Sequence, residues 1–268
     1  MDGWLPLLRR ACDAACDAVR DMTPAERRRS VGAGAGGDIT MEVDRAAEDA
    51  VLAVLEAAGA PFRLVSEEAG ERAVGEGGPW VVLDPIDGSL NAARGLPVFA
   101  TSIALAEGPS MRDVTIGVVR DHGTGEEWIA RAGGGATVDG ATVRADGSGD
   151  EGLDLLLVEG SYPDRLGPAA AALVGRVGRV RALGSLALSL CHAGAGRCDA
   201  MIGLGPGRSI DIAAAQLVAR EAGLRVGLPA EADLPGTSLH LDSRFHVLGA
   251  RDAATMDLLA GLLPRDGA

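Results

Sequence analysis

The four apolar residues 80–83 run straight into Asp84-Pro85-Ile86-Asp87-Gly88-Ser89-Leu90-Asn91. An apolar run this short, bounded by turn residues, reads as a buried strand. The chain must therefore bury a strand and bring two carboxylates, three residues apart, to its end. Pro85 fixes φ between them. Gly88 allows the backbone to approach a ligand closely. Gly88 and Ser89 open a short helix whose free N–H groups favour an anion. The octet thus sets hard oxygen ligands for a divalent cation beside a hole of phosphate size, the pairing that two-metal phosphoester hydrolysis uses. Taken alone, the same residues also read as an acidic turn with a helix cap.

The surrounding pattern changes character half-way. Residues 5–19 place Leu5, Leu8, Cys12, Ala15 and Val19 at helical spacing, and Gly32 to Gly37 form a glycine-rich loop that is a candidate mobile segment. A second helix carries Asp44 and Glu48 and ends at Gly59, placed as a C′ glycine. Short apolar runs at 62–65, 80–83, 100–106, 114–119 and 127–130 predict consecutive strands. A hairpin-like turn follows at Gly133 to Gly135, and a Gly/Asp/Ser-rich stretch at 145–152 marks a boundary. Beyond it strands at 155–159, 180–182, 200–202, 224–226 and 245–249 alternate with helices at 168–177, 185–193, 210–222 and 253–263. The expected architecture is an α/β (α+β) layered sandwich with two subdomains, 1–150 carrying most of the acids and 151–268 carrying Asp211 and a glycine-rich loop.

Composition narrows the partners. Arg supplies all 25 basic residues against 38 acids, for a net charge of -13, and no Lys is present. Schiff-base and P-loop lysine mechanisms are excluded. Nucleic acid and anionic membranes are disfavoured as bulk partners, whereas an acidic site can hold a phosphate across divalent cations. Aromatic residues make up 3% of the chain, so the core must be aliphatic. Cys12, Cys16, Cys191 and Cys198 lack paired zinc spacing and read as free thiols. With no signal segment and no apolar stretch of spanning length, a cytoplasmic protein is expected. The histidines are scattered, and neither Ser185 nor Ser189 has one at triad spacing.

The octet, together with Gly95, Pro97 and Ser102-Ile103-Ala104-Leu105, resembles the central signature of the inositol monophosphatase family of Mg²⁺-dependent sugar-phosphate phosphatases. Ser66-Glu67-Glu68, the set Asp38, Thr40, Asp44 and Glu48, Gly184-Ser185, Asp199-Ala200, Asp211-Ile212-Ala213-Ala214 and Glu221-Ala222-Gly223 resemble its other motifs. The resemblance runs through most of the chain. It implies the sugar-phosphatase fold and a phosphomonoesterase that uses two or three Mg²⁺ ions, with Mn²⁺ able to substitute.

Residue by residue, it implies that Glu67, Asp84 and the Ile86 carbonyl hold a first metal, and that Asp84, Asp87 and Asp211 hold a second. Glu68 helps place a third. Asp44 and the Ser89 hydroxyl orient the attacking water, the Gly88 and Ser89 amides take the phosphate, and Ser185 joins the substrate side. The family's Trp before the last acid is Ile210 here, and the aromatic after Asp199-Ala200 is Met201. The stretch 203–209 has no acid to receive inositol hydroxyls, but it does carry Arg208, a fork donor suited to a second anionic group. The expected substrate is a small sugar or cyclitol phosphate, of inositol monophosphate or fructose 1,6-bisphosphate type. A nucleotide 3′- or 2′-phosphatase and a catalytically weak sugar-phosphate-binding regulator are the alternatives. A homodimer is the expected assembly.

Overall fold

In the computed structural model, which describes residues 3–37, 39–145, 152–227 and 236–263, the N-terminal apolar stripe forms helix α1 (Trp4–Arg20). Leu8, Cys12, Ala15 and Val19 are buried along it. After the short α2 (Pro24–Arg27) the glycine-rich stretch departs from the expected loop. Its first part is a strand, β1 (Ser30–Ala33), paired antiparallel with β2 (Ile39–Met41). Asp38 lies outside the described residues. Helix α3 (Glu42–Ala57) packs its Val43, Ala47, Val51 and Leu55 against α1, and Gly59 follows its cap at φ +69°.

The strands of the first half build one eight-stranded sheet among the described residues. They are β3 (Phe62–Ser66), β4 (Gly70–Val74), β5 (Trp80–Asp87), β6 (Ala100–Ala106), β7 (Val114–Asp121), β8 (Glu127–Arg131), β9 (Gly135–Val138) and β10 (Ala141–Val143). Between β5 and β6 sits the six-residue α4 (Ser89–Arg94). Seven pairings join the sheet, six antiparallel; only β3 and β5 run parallel. The ends of β3 and β5 therefore point the same way and deliver Glu67 and Asp84 side by side. β9 is the returning arm of the hairpin-like turn expected at Gly133 to Gly135, whereas β4 and β10 had no counterpart in the sequence pattern. β4 shows why: it is an edge strand with three exposed residues running together, and no alternation marks it.

The second half forms a five-stranded sheet from β11 (Leu153–Glu159), β12 (Val177–Arg181), β13 (Ala200–Gly203), β15 (Arg225–Gly227) and β17 (Leu248–Ala250). A small pair, β14 (Gly207–Arg208) with β16 (Arg244–Phe245), stands apart from it. The single strand expected at 245–249 is therefore two. Helix α5 (Pro163–Leu173) starts at Pro163 and carries Pro168 inside it, so it begins five residues before the expected position. Helices α6 (Leu186–Gly194), α7 (Ser209–Glu221) and α8 (Ala253–Ala260) fall close to expectation.

Helix α7 is buried almost all round because it lies between the two sheets. Its Ile210, Ala214 and Leu217 share one core with Val82, Ala104, Val119 and Trp128 of the first sheet and with Leu188 of α6. The four cysteines are free. Among the described residues no helix is long and apolar enough to cross a membrane.

Candidate active site

Strand β5 stays buried through Asp87, so the acids emerge from the core already desolvated. Asp84 is 2% exposed, and its Oδ1 accepts the Ile86 amide at 3.1 Å, which folds the chain back at the end of the strand. Gly88 then takes φ +97°, open to glycine at little cost. A Cβ there would stand 3.0 Å from the carbonyl oxygens of both Gly184 and Val98. Asn91 Nδ2 donates to Val98 O and Leu183 O, each at 2.7 Å, pinning the octet against the turn before α6.

That turn holds Asp87. Ser185 Oγ donates to Asp87 Oδ2 at 2.5 Å, the Ala187 amide does so at 2.7 Å, and the Leu186 amide reaches Oδ1 at 3.2 Å. Ser185 also accepts the Leu188 amide as the cap of α6. Its hydroxyl is thereby committed to positioning Asp87, and it is buried. Glu159, a buried acid that the sequence did not flag, supports the same turn by accepting the Leu183 and Gly184 amides at 2.9 Å and the Ser189 hydroxyl at 2.7 Å.

Glu67 and Glu68 follow β3, and the glycine-rich hairpin lies across them. The Gly36 amide donates to Glu67 O at 2.9 Å and the Ala35 amide to Glu68 O at 3.3 Å. Thr40 bonds Glu68, while Ser66 bonds Glu48. On the first turn of α3, Asp44 Oδ2 accepts the Met41 amide at 3.0 Å. Asp44 Oδ1 is buried and finds no hydrogen-bond partner among the described residues. Burial raises the Asp44 carboxyl above its ordinary value, and the neighbouring Ser89 hydroxyl, which donates to Ile86 O at 2.8 Å, opposes that rise.

Arg208 was expected to face the substrate. Its guanidinium instead turns into the acids, with Nη2 2.6 Å from Glu67 Oε1 and Nε 3.3 Å from Asp211 Oδ1. Asp211, in the first turn of α7, also accepts the Arg208 amide at 2.9 Å. Even with this cation present the cluster resists ionisation. Burial, opposed by Arg208 but reinforced by Asp211, pushes Glu67 up to about 8. Burial and then Asp211 push Asp87 up to about 7. Asp84 is raised well above the carboxylate range by burial and by Glu67, Asp87 and Asp211 together.

A cavity of about 510 Å³ opens from Asp87 and Asp211, with the glycines of 203–207 along one wall and Tyr162 and Arg165 along another. Neither of the last two carried a sequence signal, since a lone Tyr and Arg near a helix start form no motif. A larger cavity, about 800 Å³, lies against α1 and His122 and touches none of these clustered acids.

The sequence model of the inositol monophosphatase family matches residues 4–261. The chain belongs to the inositol monophosphatase family. Among its relatives is the "fructose-1,6-bisphosphatase/inositol-1-monophosphatase" of Archaeoglobus fulgidus, 31% identical over 245 residues that span 90% of this chain and 91% of the relative. Another is the "Nus factor SuhB" of Pasteurella multocida, 30% identical over 233 residues, 85% of this chain and 83% of that one. A solved extragenic suppressor protein suhB from Bartonella henselae superposes with a TM-score of 0.80 at 24% identity, covering 99% of this chain and all of that one; it shows the fold shared by this family.

The donor chemistry of the site fits the divalent cations on which the family generally depends. All the donors are hard oxygens, the acids repel one another without a counter-cation, and one buried carboxylate oxygen is left without a partner. As the side chains stand, no three Asp, Glu, His or Cys groups converge on one point among the described residues. The Arg208 guanidinium stands between Glu67 and Asp211.

Proposed function

We propose that this chain is a Mg²⁺-dependent phosphomonoesterase that hydrolyses a small sugar or cyclitol phosphate by direct attack of water. The observation that carries this reading is the clustering of Glu67, Asp84, Asp87 and Asp211, in which Asp211 raises the ionisation cost of the other three, beside a 510 Å³ cavity lined by Asp87 and Asp211. Glu67, Asp84, Asp87, Asp211 and the Ile86 carbonyl would hold the ions, with Glu68 at the margin. Bound Mg²⁺ supplies charge that polarises the phosphoryl and leaving oxygens and makes water acidic enough to act as a nucleophile.

The chain's own groups do the rest. Asp44, through its unpartnered Oδ1, accepts the proton of the attacking water, and the Ser89 hydroxyl orients that water. The Gly88 and Ser89 amides receive phosphoryl oxygens at the start of α4. Ser185 and the two α6 amides keep Asp87 in place.

The reading is tested with purified protein and Mg²⁺ over inositol 1-phosphate, fructose 1,6-bisphosphate, 3′-phosphoadenosine 5′-phosphate and NADP. Release of phosphate from either of the first two supports it. Preference for the last two would move the protein to the nucleotide phosphatases. No release from any ester would favour a binding role.

A further inference from the structure

The cavity that starts at Asp87 and Asp211 ends at Arg165, on the first turn of α5. Its guanidinium packs directly over Gly205, where any Cβ would collide with Nη1. From the other side the Tyr162 ring lies 5.5 Å from the guanidinium carbon, and that ring is 66% exposed at the cavity mouth. Arg165 is half-buried, and among the described residues it has no carboxylate within ion-pair distance. Arg208 differs in this respect, since Glu67 and Asp211 engage it.

We propose that Arg165 is a specificity-determining residue that receives a second, non-reacting anionic group of the substrate, with Tyr162 flanking it; this rests on the phosphomonoesterase reading above. The electrostatics run one way along the cavity. Its inner wall is acidic, with Asp87, Asp211 and Glu159, and holds the reacting phosphate only through intervening cations. A second phosphate near that wall would be repelled. The cation at the outer end gives it a place, and a planar fork stacked on a tyrosine is held ready for bidentate contact. Gly205, lacking a Cβ, lets the Arg165 guanidinium lie against the backbone of that wall. A neutral cyclitol ring makes no use of such a cation, so the substrate class indicated is a sugar bisphosphate or a sugar phosphate with another anionic substituent.

The test compares wild type, Arg165→Gln and Arg165→Lys on fructose 1,6-bisphosphate and inositol 1-phosphate, after melting curves establish that all three fold. Arg165→Gln should lower the bisphosphate-to-monophosphate ratio of kcat/KM by about tenfold or more, through KM, as loss of a charge-assisted bond implies. Arg165→Lys should recover part of it. An unchanged ratio overturns the proposal, whatever happens to the absolute rates. Calorimetric titration with fructose 1,6-bisphosphate and fructose 6-phosphate, in Ca²⁺, separates this idea from the function itself. Should wild type turn over no ester, the phosphomonoesterase reading falls. The Arg165 proposal then stands only if wild type binds the bisphosphate more tightly and the Gln variant loses that preference.

Discussion

Arg208 Nη2 lies 2.6 Å from Glu67 Oε1, and its charge opposes the effect of burial on Glu67 and Asp84. Removing one partner of a buried pair leaves the other charge uncompensated, at a cost of about 3 kcal/mol. Arg208→Gln should therefore lower the melting temperature in EDTA by several degrees. Saturating Mg²⁺ should recover most of that loss, because the ions would neutralise the same carboxylates. Calorimetry of both proteins with EDTA and with Mg²⁺ checks this. An equal drop under both conditions would mean that Arg208 serves packing alone.

The backbone at Gly88 makes a second, independent demand. Its φ of +97° is costly for any L side chain, and two carbonyl oxygens stand 3.0 Å from where a Cβ would sit. Gly88→Ala should destabilise by roughly 2 kcal/mol or more. Because Gly184 O is one of those atoms, the turn that carries Ser185 must shift, and Asp87 with it. The variant should lose activity out of proportion to its stability. Chemical denaturation alongside kcat measures both, and a stable variant with normal turnover would show the octet to be less constrained than its geometry implies.

His122 gives a pH dependence remote from the acids. Burial, with Arg27 and Arg120 adding to it, lowers its pKa to about 4 from the ordinary 6.5. Its Nε2 lies 2.8 Å from Thr101 Oγ1, and its ring stacks on Phe99 at 4.9 Å. Between these two pKa values the unfolded chain takes up a proton that the folded chain does not. The stability contributed by the neutral ring is therefore complete above pH 6.5 and is lost as pH falls toward 4. The melting temperature of wild type relative to His122→Gln should fall across that interval. Parallel curves for the two proteins would contradict the assignment.

These predictions draw unequally on what the sequence made legible. Asp84, Asp87 and Gly88 stood out because an apolar strand running into Asp-Pro-x-Asp-Gly leaves few alternatives, and the strand, the turn and the helix all follow. Ser185 was marked for the substrate side, but its hydroxyl is used between Asp87 and Leu188, a pairing between residues almost a hundred positions apart. Arg208 was likewise visible as a cation, while its direction depended on where β3 brought Glu67. Arg165 left no trace in the sequence. It reaches the cavity only because α5 begins at Pro163, and the expected start at 168 had placed residue 165 in a loop outside the helix. The stretch 145–152, read as a boundary, falls almost wholly outside the described residues.

The most direct measurement is phosphate release by wild type and Asp87→Asn, each with Mg²⁺ and with EDTA. Asp87 is held by three hydrogen bonds that an amide can partly reproduce, so the variant should fold. Wild type should release phosphate from a sugar phosphate only when Mg²⁺ is present. Asp87→Asn should lose on the order of 10³-fold in kcat, comparable to removing a key electrostatic group. Full turnover by wild type in EDTA, or near-normal kcat in the folded variant, would contradict the proposal that these carboxylates work by holding metal.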